Sequence, residues 1–376
     1  MKRILILLVV VISCMKNLKN LSNEIKDLDE NLMLAVIEGK KEKVKDLIGR
    51  GANVNYENEK GDTALIIAAD SSNLDIIKYL IKKGADVNYD QAGRTTALIV
   101  AAGNGNLDIV KYLIKKGADV NYNQADGTTA LIIAAENGNL DIVKYLIKKG
   151  ADANHKKDNS GTALMGAAES YNLDLVKYLV KKGANINDKN ESDVTSLMQA
   201  AEKGNLNIVK YLIEKGANID DKEEEGWTAL MLASENGYIE VAKYLTEKGA
   251  NVNDKNVYGS TALMLATHNE YTDIVKLLIE KRANIYEKDI HNKTIFIYIS
   301  QSLKSSKDKL KKMGLLEIFH TLIRKTAEDY IHLFISLNKS SEVPQHIKDE
   351  VHNYISLLYS LQKLPKELFE KIVRKF

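Results

Sequence analysis

The residues with the most reactive side chains in this sequence are seven histidines and a single cysteine. The histidines form no HExxH motif, and the chain contains no glycine-rich phosphate loop and no GxSxG nucleophile turn. His346 and His352 share a segment with Asp349 and Glu350, but a spacing of six does not place both rings on one helix face. Without a convergent acid, base and nucleophile, the sequence predicts no enzyme, no metal site and no cofactor. The histidines are His155, His268, His291, His320, His332, His346 and His352.

Cys14 follows an apolar run from Ile4 to Ile12, and Lys2 and Arg3 precede that run. A positive start, a short apolar core and a small residue are typical of a secretory signal. The run is too short to span a bilayer, which takes about 20 residues. The letters VISC also resemble the bacterial lipobox, whose cysteine is acylated after cleavage. We predict an exported, extracytoplasmic protein, secreted or membrane-anchored, and leave open a cleaved signal, an uncleaved anchor or lipidation of Cys14.

The charge and composition of the chain exclude some classes of partner. The formal net charge is only +2, whereas general nucleic-acid binders carry a clear excess of Lys and Arg. Two prolines and five phenylalanines accompany abundant Leu, Ile, Lys and Asn, which is typical of a packed helical chain with a polar exterior. We therefore expect no nucleic-acid partner. With Cys14 as its one cysteine, the chain also forms no internal disulfide.

A period of 33 residues dominates the sequence. It is seen in the threonine of the TAL motif and, in phase with it, in the glycine that precedes AD or AN. Two independent positions in phase over so many steps predict a solenoid of stacked repeats. The threonines are Thr63, Thr96, Thr129, Thr162, Thr195, Thr228, Thr261 and Thr294, and the glycines are Gly51, Gly84, Gly117, Gly150, Gly183, Gly216 and Gly249, with Arg282 in the same slot.

Each period predicts two helices and a hairpin-like link. Thr129 is placed to cap a first helix with a buried apolar stripe, and the glycine of NGN is placed to end it. Asn139 is then expected to cap a second amphipathic helix, with Asp141 in its first turn and Gly150 at its end. One helix pair cannot bury both of its faces, so stability must come from stacking.

These residues resemble the ankyrin repeat family, whose consensus has the form DGxTPLHxAAxxGHxEVVKLLLxxGADVN. The resemblance covers residues 27 to 325 and implies an all-α ankyrin-repeat solenoid of helix-turn-helix units with β-hairpin loops. One departure is that TALI or TALM replaces TPLH, so that apolar packing replaces the hydrogen bonds of the family's histidine. The family implies a non-catalytic scaffold that binds another protein.

The predicted segments follow the repeat and its ends. The first unit has lysines where other repeats bury apolar residues, and the last is interrupted by a lysine-rich insertion expected to be a solvated loop. The segments are 1–14, signal or lipobox-like; 15–26, linker; 27–59, N-capping repeat; 60–290, seven repeats; 291–325, degenerate C-capping repeat with insertion 301–312; and 326–376, helical tail.

Positions that vary between repeats are not required for packing between the helices, and they are therefore the candidates for binding a partner. They lie at the hairpin tips, where the sole tryptophan Trp227 is either a binding anchor or packs on the next tip, and at the end of the first helix. If the family geometry holds, the helix ends form an acidic groove with aromatic patches, which suits a basic or mixed polypeptide. The predicted partner-binding residues are Tyr89, Arg94, Tyr122, Glu136, Glu169, Tyr171, Glu202, Trp227, Glu235, Tyr238 and Tyr271.

The tail after residue 326 has no period and is predicted to form three amphipathic helices. Its last segment resembles the opening of an F-box, which docks ubiquitin-ligase subunits, over the residues Leu364, Pro365, Glu367, Leu368 and Ile372. The alternative is a helical cap over the last repeat. The sequence thus predicts a monomeric scaffold for a polypeptide partner, with an N-terminal membrane tether left open. The second hypothesis is a host-directed effector whose tail recruits a ligase.

Overall fold

The computed structural model describes residues 26–89, 94–159 and 161–305, together with positions 308, 311, 313–315, 317, 318 and 322. Cys14 and the ligase-docking candidates Leu364 to Ile372 lie outside these residues. The chain divides into two compact units, Met1–Glu224 and Glu225–Phe376. We call them unit 1 and unit 2 and describe each by itself.

Unit 1 is built from pairs of short helices joined by turn-rich links. After α1, the longer helix that opens the unit, a first helix of seven residues alternates with a second helix of nine. The elements are α1 (26–37), α2 (Lys41–Gly49), α3 (Ala64–Asp70), α4 (Leu74–Lys82), α5 (Ala97–Gly103), α6 (Leu107–Lys115), α7 (Ala130–Glu136), α8 (Leu140–Lys148), β1 (Lys156–Lys157), β2 (Gly161–Thr162), α9 (Ala163–Glu169), α10 (Leu173–Lys181), α11 (Ser196–Glu202) and α12 (Leu206–Glu214).

Unit 2 repeats the same helix pair. Its elements are α13 (Ala229–Glu235), α14 (Ile239–Glu247), α15 (Ala262–His268), α16 (Thr272–Glu280) and α17 (Ile295–Ser305). The insertion predicted as a loop at 301–312 was wrong at its start, since residues 301–305 continue α17. The other first helices end at the repeat position of Gln301. The mixed apolar and polar sequence of α17 allows this helix to continue beyond that position. Position 311 is also helical.

The threonine of each TAL motif acts as the predicted helix cap. Its side-chain oxygen accepts a hydrogen bond from the backbone amide three residues later, which satisfies a donor that the helix leaves free. Thr162 is an exception, because it makes no such bond. The capping threonines are Thr63, Thr96, Thr129, Thr195, Thr228 and Thr261.

Asn139 is the N-cap residue of α8, as predicted, but its side chain does not make the capping hydrogen bond. Asn73 and Asn106 do cap their helices, but Asn139 instead donates its amide to the carbonyl oxygen of Ala102, 3.2 Å away in the preceding repeat. Asn205 likewise donates to the carbonyl oxygen of Ala168 at 3.0 Å. The side chain at this position can therefore cap its own helix through its oxygen, bond to the preceding repeat through its NH2 group, or do both, as Asn172 does.

The core lies between the two helices of each pair and between neighbouring pairs. In α7, Leu131 and Ile132 are 1% exposed and the paired alanines Ala134 and Ala135 are fully buried. Small side chains at these positions let adjacent first helices approach closely, and α3, α5, α7, α9 and α11 pack in order as one row. Second helices α6, α8, α10 and α12 form another row. The predicted all-α stack of helix pairs is confirmed within each unit.

The links between repeats are short hairpin arms. Strands β1 and β2 pair antiparallel, with Lys156 opposite Thr162. Elsewhere in unit 1 the arm is reduced to an isolated bridge, as between Glu57 and Thr63. Glycine at Gly150 has φ 94°, a left-handed conformation that ends α8 and starts the next arm. The arms and the first helices together carry the side chains that differ between repeats.

Candidate functional site

The hairpin tips form rows fixed by backbone hydrogen bonds. In unit 1, the amide of Asp158 donates to the carbonyl of Asp126 at 2.9 Å. In unit 2, Val257 donates to Glu225 at 2.8 Å and Ile290 donates to Tyr258 at 3.1 Å. Because these bonds involve only backbone atoms, they hold the tips in register whatever side chains the tips carry. Variable side chains are thus presented from a backbone of fixed geometry.

Side chains beside the tips of unit 1 contact the arm of the preceding repeat, as Tyr89 and Asp221 do. Early in unit 1, the Tyr89 hydroxyl donates to Glu57 of the preceding arm at 3.3 Å. Burial, together with this carboxylate, raises the pKa of the Tyr89 hydroxyl. Later in unit 1 the same two repeat positions hold a lysine and an aspartate, and Lys189 lies 4.0 Å from Asp221 on the following arm. Both contacts join the same repeat position to the arm of the preceding repeat.

Ion pairs between the same two repeat positions on successive arms occur elsewhere in each unit. In unit 1, Lys156 lies 3.7 Å from Asp188. In unit 2, Lys255 contacts Glu287, and the hydrogen bond from Lys255 is the main cause of a lowered pKa at Glu287. These side chains lie between successive arms and are partly exposed, so each pair contributes modestly to stability. Each of them joins two successive arms.

Three predicted binding residues lie near the arms of unit 1. Tyr89 and Tyr122 are half-buried, and Tyr89 is engaged with the neighbouring arm as described. Arg94 is exposed, but its guanidinium donates to the carbonyl of Lys60 in the preceding arm. Arg94 remains the most accessible of the three, and all three remain predictions as partner contacts.

The predicted acidic groove is partly neutralised in unit 1. Glu136, at the end of α7, lies 3.5 Å from Lys157, and the two side chains are only 25% and 18% exposed. Glu169, at the end of α9, lies 3.5 Å from Lys203 of the next repeat. Glu202 is half-buried at the end of α11. The contact with Lys157 shows that the hairpin arm and the first-helix end share one surface, as the groove prediction requires.

Tyr171 is the most exposed aromatic side chain among the described residues, at 64%. It occupies the position where other repeats have glycine, and its φ of 60° lies in the left-handed region. Its hydroxyl donates to the carbonyl of Lys203 at 2.7 Å, which fixes the ring while leaving one face accessible. Tyr171 is therefore a well-placed binding candidate in unit 1.

The candidates in unit 2 differ in accessibility. Tyr238 is 36% exposed, whereas Trp227 is half-buried immediately before the cap Thr228. Trp227 is thus less accessible than its place in a tip suggested. Tyr271 is half-buried, and Lys311 lies 6.0 Å from its ring centroid. Glu235 is half-buried at the end of α13.

An apolar surface at the tips of unit 2 was missed by the sequence analysis. Val257, Tyr258 and Ile290 are 57%, 44% and 59% exposed, and the backbone bond from Ile290 to Tyr258 places them side by side. We call these three residues the tip patch. The sequence does contain a signal, because the position of Val257 and Ile290, four residues before the threonine, is acidic in four other repeats and alanine in two, at Ala92 and Ala125. The acidic residues in that slot are Glu59, Asp158, Glu191 and Glu224.

Comparison with protein families agrees with this geometry. The family model described as ankyrin repeats (3 copies) matches residues 32–124, 121–190 and 197–289. The chain belongs to the ankyrin repeat family. Ankyrin repeats are protein–protein interaction modules, so the family indicates that this chain interacts with other proteins. A search of curated proteins finds no match to this chain.

Two further searches concern the described part of the ankyrin chain. No group of three or more His, Cys, Asp or Glu side chains among those residues could hold a metal ion. None of the helices described above is long and apolar enough to cross a bilayer.

Proposed function

We propose that this ankyrin protein is a non-catalytic scaffold that binds a polypeptide partner through its hairpin tips and groove, with the tip patch as an anchor. The observation that carries the proposal is the exposure of Val257 and Ile290 on tips fixed by backbone bonds. Exposed apolar side chains in a cluster favour burial against a partner. Covering an aliphatic side chain of this size contributes about 1–2 kcal/mol.

The rigidity of the tips supports this function. A surface that is already ordered loses little conformational entropy when it binds, so more of the contact energy appears as affinity. The Tyr258 hydroxyl donates to Glu225 at 3.1 Å, which orients the ring beside the aliphatic residues. The tip patch thus combines a fixed aromatic ring with two aliphatic side chains and a polar margin.

The test is capture of partners from the native cell by crosslinking to the full-length protein. We expect the captured polypeptide to be lost or strongly reduced with Val257→Glu and Ile290→Glu together, because two carboxylates would then have to be buried. Met313→Glu is the matched control, since Met313 is 60% exposed in unit 2 and belongs to neither the tip patch nor the groove. Retention of the same partner by the tip-patch variant would contradict the proposal.

We also propose that the protein is exported and works as a monomer, tethered through Cys14 or released after signal cleavage. The support is the charged start, the apolar run and the lipobox-like VISC. Mass spectrometry of the mature N-terminus distinguishes an acylated Cys14, a cleaved chain and an intact start. Cys14→Ala should abolish an acylated form, and sedimentation of the mature chain measures the oligomeric state.

A second candidate function is a host-directed effector in which the array captures a substrate and the tail recruits a ubiquitin ligase. It is favoured by the resemblance of Leu364, Pro365, Glu367, Leu368 and Ile372 to the opening of an F-box. Capture with and without residues 326–376 tests it. Loss of a ligase subunit while the array partners are retained would favour this candidate, and an unchanged set of partners would exclude it.

A further inference from the structure

A pocket of about 210 Å³ lies on unit 2 between the first helices α15 and α17, which pack against each other. It lies at groove positions, because Leu265 and Tyr298 occupy the same repeat slot as Ile133 of α7. His268 and Gln301 occupy the slot that holds Glu136 in unit 1. The lining residues are Ser260, Met264, Leu265, His268, Lys293, Tyr298 and Gln301.

The wall of this pocket is held by Asp289, which is 7% exposed. One carboxylate oxygen accepts the Tyr298 hydroxyl at 2.6 Å, and the other accepts the backbone amides of His291 and Lys293 at 2.9 and 2.8 Å. Burial and this bond raise the pKa of Tyr298 to about 12. The ring of His268 meets Tyr298 edge-on, with centroids 5.8 Å apart. The pocket is therefore ordered before anything enters it.

The charge of the pocket differs from that of the groove in unit 1. Among the described residues the lining contains no carboxylate, and both oxygens of nearby Asp289 are already bonded. Lys293 lies 5.7 Å from the Tyr298 ring centroid and makes no ion pair with the described carboxylates. A cation and an imidazole thus face a cavity with Met264 and Leu265 as apolar lining.

We propose that this pocket binds an acidic side chain of an extended polypeptide, together with an adjacent aliphatic residue. The carboxylate pairs with the Lys293 ammonium, and the aliphatic side chain packs on Leu265 beside Met264. An ordered cation beside an aromatic ring suits a carboxylate better than a neutral amide of the same shape. This inference rests on the proposed scaffold function and names the chemistry of one partner segment.

The test uses the full-length protein with methyl-labelled methionine and two capped synthetic peptides, Leu-Glu-Leu and Leu-Gln-Leu. The methyl resonance of Met264 is assigned with Met264→Leu. We expect saturable shifts of this resonance with the Glu peptide and at least about five-fold weaker binding of the Gln peptide. Equal affinities, or no shift with either peptide up to about 10 mM, would overturn the proposal.

Variants of the lysine provide matched controls. Lys293→Gln should lower the affinity for the Glu peptide to that for the Gln peptide, whereas Lys293→Arg should retain it. Lys243→Gln removes an exposed cation from helix α14 of the same unit and should change nothing. Circular dichroism melts establish that each variant folds. An unchanged affinity in folded Lys293→Gln would reject the assigned pairing.

The result is separable from the scaffold proposal. If the peptides fail to bind while the tip-patch variant still loses its captured polypeptide, the pocket inference is wrong and the scaffold function stands. If the Glu peptide binds selectively while the tip-patch variant keeps its partner, the pocket stands and the tip patch is not the anchor.

Discussion

The side chain of Asn121 joins two repeats by forming two hydrogen bonds with the turn around Gly150. Its amide donates to the Gly150 carbonyl at 3.0 Å, and its oxygen accepts the amide of Asp152 at 2.9 Å. Asn88 and Asn154 make the same pair of hydrogen bonds with the turns of the repeats that follow them. A residue that reads as part of a loop is therefore a regular connection between neighbouring repeats.

Replacing this asparagine should weaken the array. Asn121→Ala removes two hydrogen bonds between repeats, and we expect a loss of about 1–2 kcal/mol in the free energy of unfolding, measured by urea denaturation. Asn123→Ala is the control, because the Asn123 side chain bonds only to the carbonyl of adjacent Gln124. If both variants lose the same stability, the inter-repeat bonds do not carry the effect.

Two threonines in the same repeat slot should respond differently to removal of their hydroxyl. Thr129 caps α7 by accepting from the amide of Ile132 at 3.2 Å, so Thr129→Val should cost about 1 kcal/mol. The hydroxyl of Thr162 is buried without a hydrogen-bond partner among the described residues, so Thr162→Val should be neutral or stabilising. Thermal melts of the two variants make the comparison. A cost at Thr162 equal to that at Thr129 would contradict it.

Much of the fold could be predicted because its signals are local. A threonine before an apolar stripe and a glycine after it specify a helix without reference to the rest of the chain. The use of the Asn139 side chain could not be predicted in this way. Its oxygen is the atom that would cap α8, whereas its NH2 group donates to the carbonyl of Ala102. Asn172 makes both kinds of bond, so the packing against the preceding repeat determines which of them form.

The candidate site was predictable only in part. The repeat register correctly placed Glu136 at the end of the first helix α7, but its pairing with Lys157 depends on how the hairpin folds over the helix end. The tip patch has a sequence signal in Val257 and Ile290, which are large and apolar where four other repeats have an acidic residue, yet their exposure is a property of the folded tip. The roles of Cys14 and of the tail remain predictions.

Arg282 should be a site of backbone strain in unit 2. It has φ 65° in the slot where other repeats have glycine, and a non-glycine residue there costs about 1–2 kcal/mol. Glycine also gains entropy in the unfolded chain, which offsets part of the relief. We therefore expect Arg282→Gly to stabilise by roughly 0.5–1 kcal/mol in thermal unfolding. Gly249→Arg should do the opposite, and a destabilised Arg282→Gly would show that this conformation carries no strain.

The bond between Tyr298 and Asp289 should make the stability of unit 2 depend on alkaline pH. The tyrosine pKa is raised from 10.0 to about 12 in the folded state, so its contribution is complete below pH 10 and is lost as the pH rises through about 12. At neutral pH, Tyr298→Phe should cost about 1–2 kcal/mol, because Asp289 loses a donor. The difference in melting temperature between the native protein and this variant should shrink between these pH values. Tyr238→Phe, at a partly exposed tyrosine, should show no such convergence, and a pH-independent difference for Tyr298→Phe would refute the assignment.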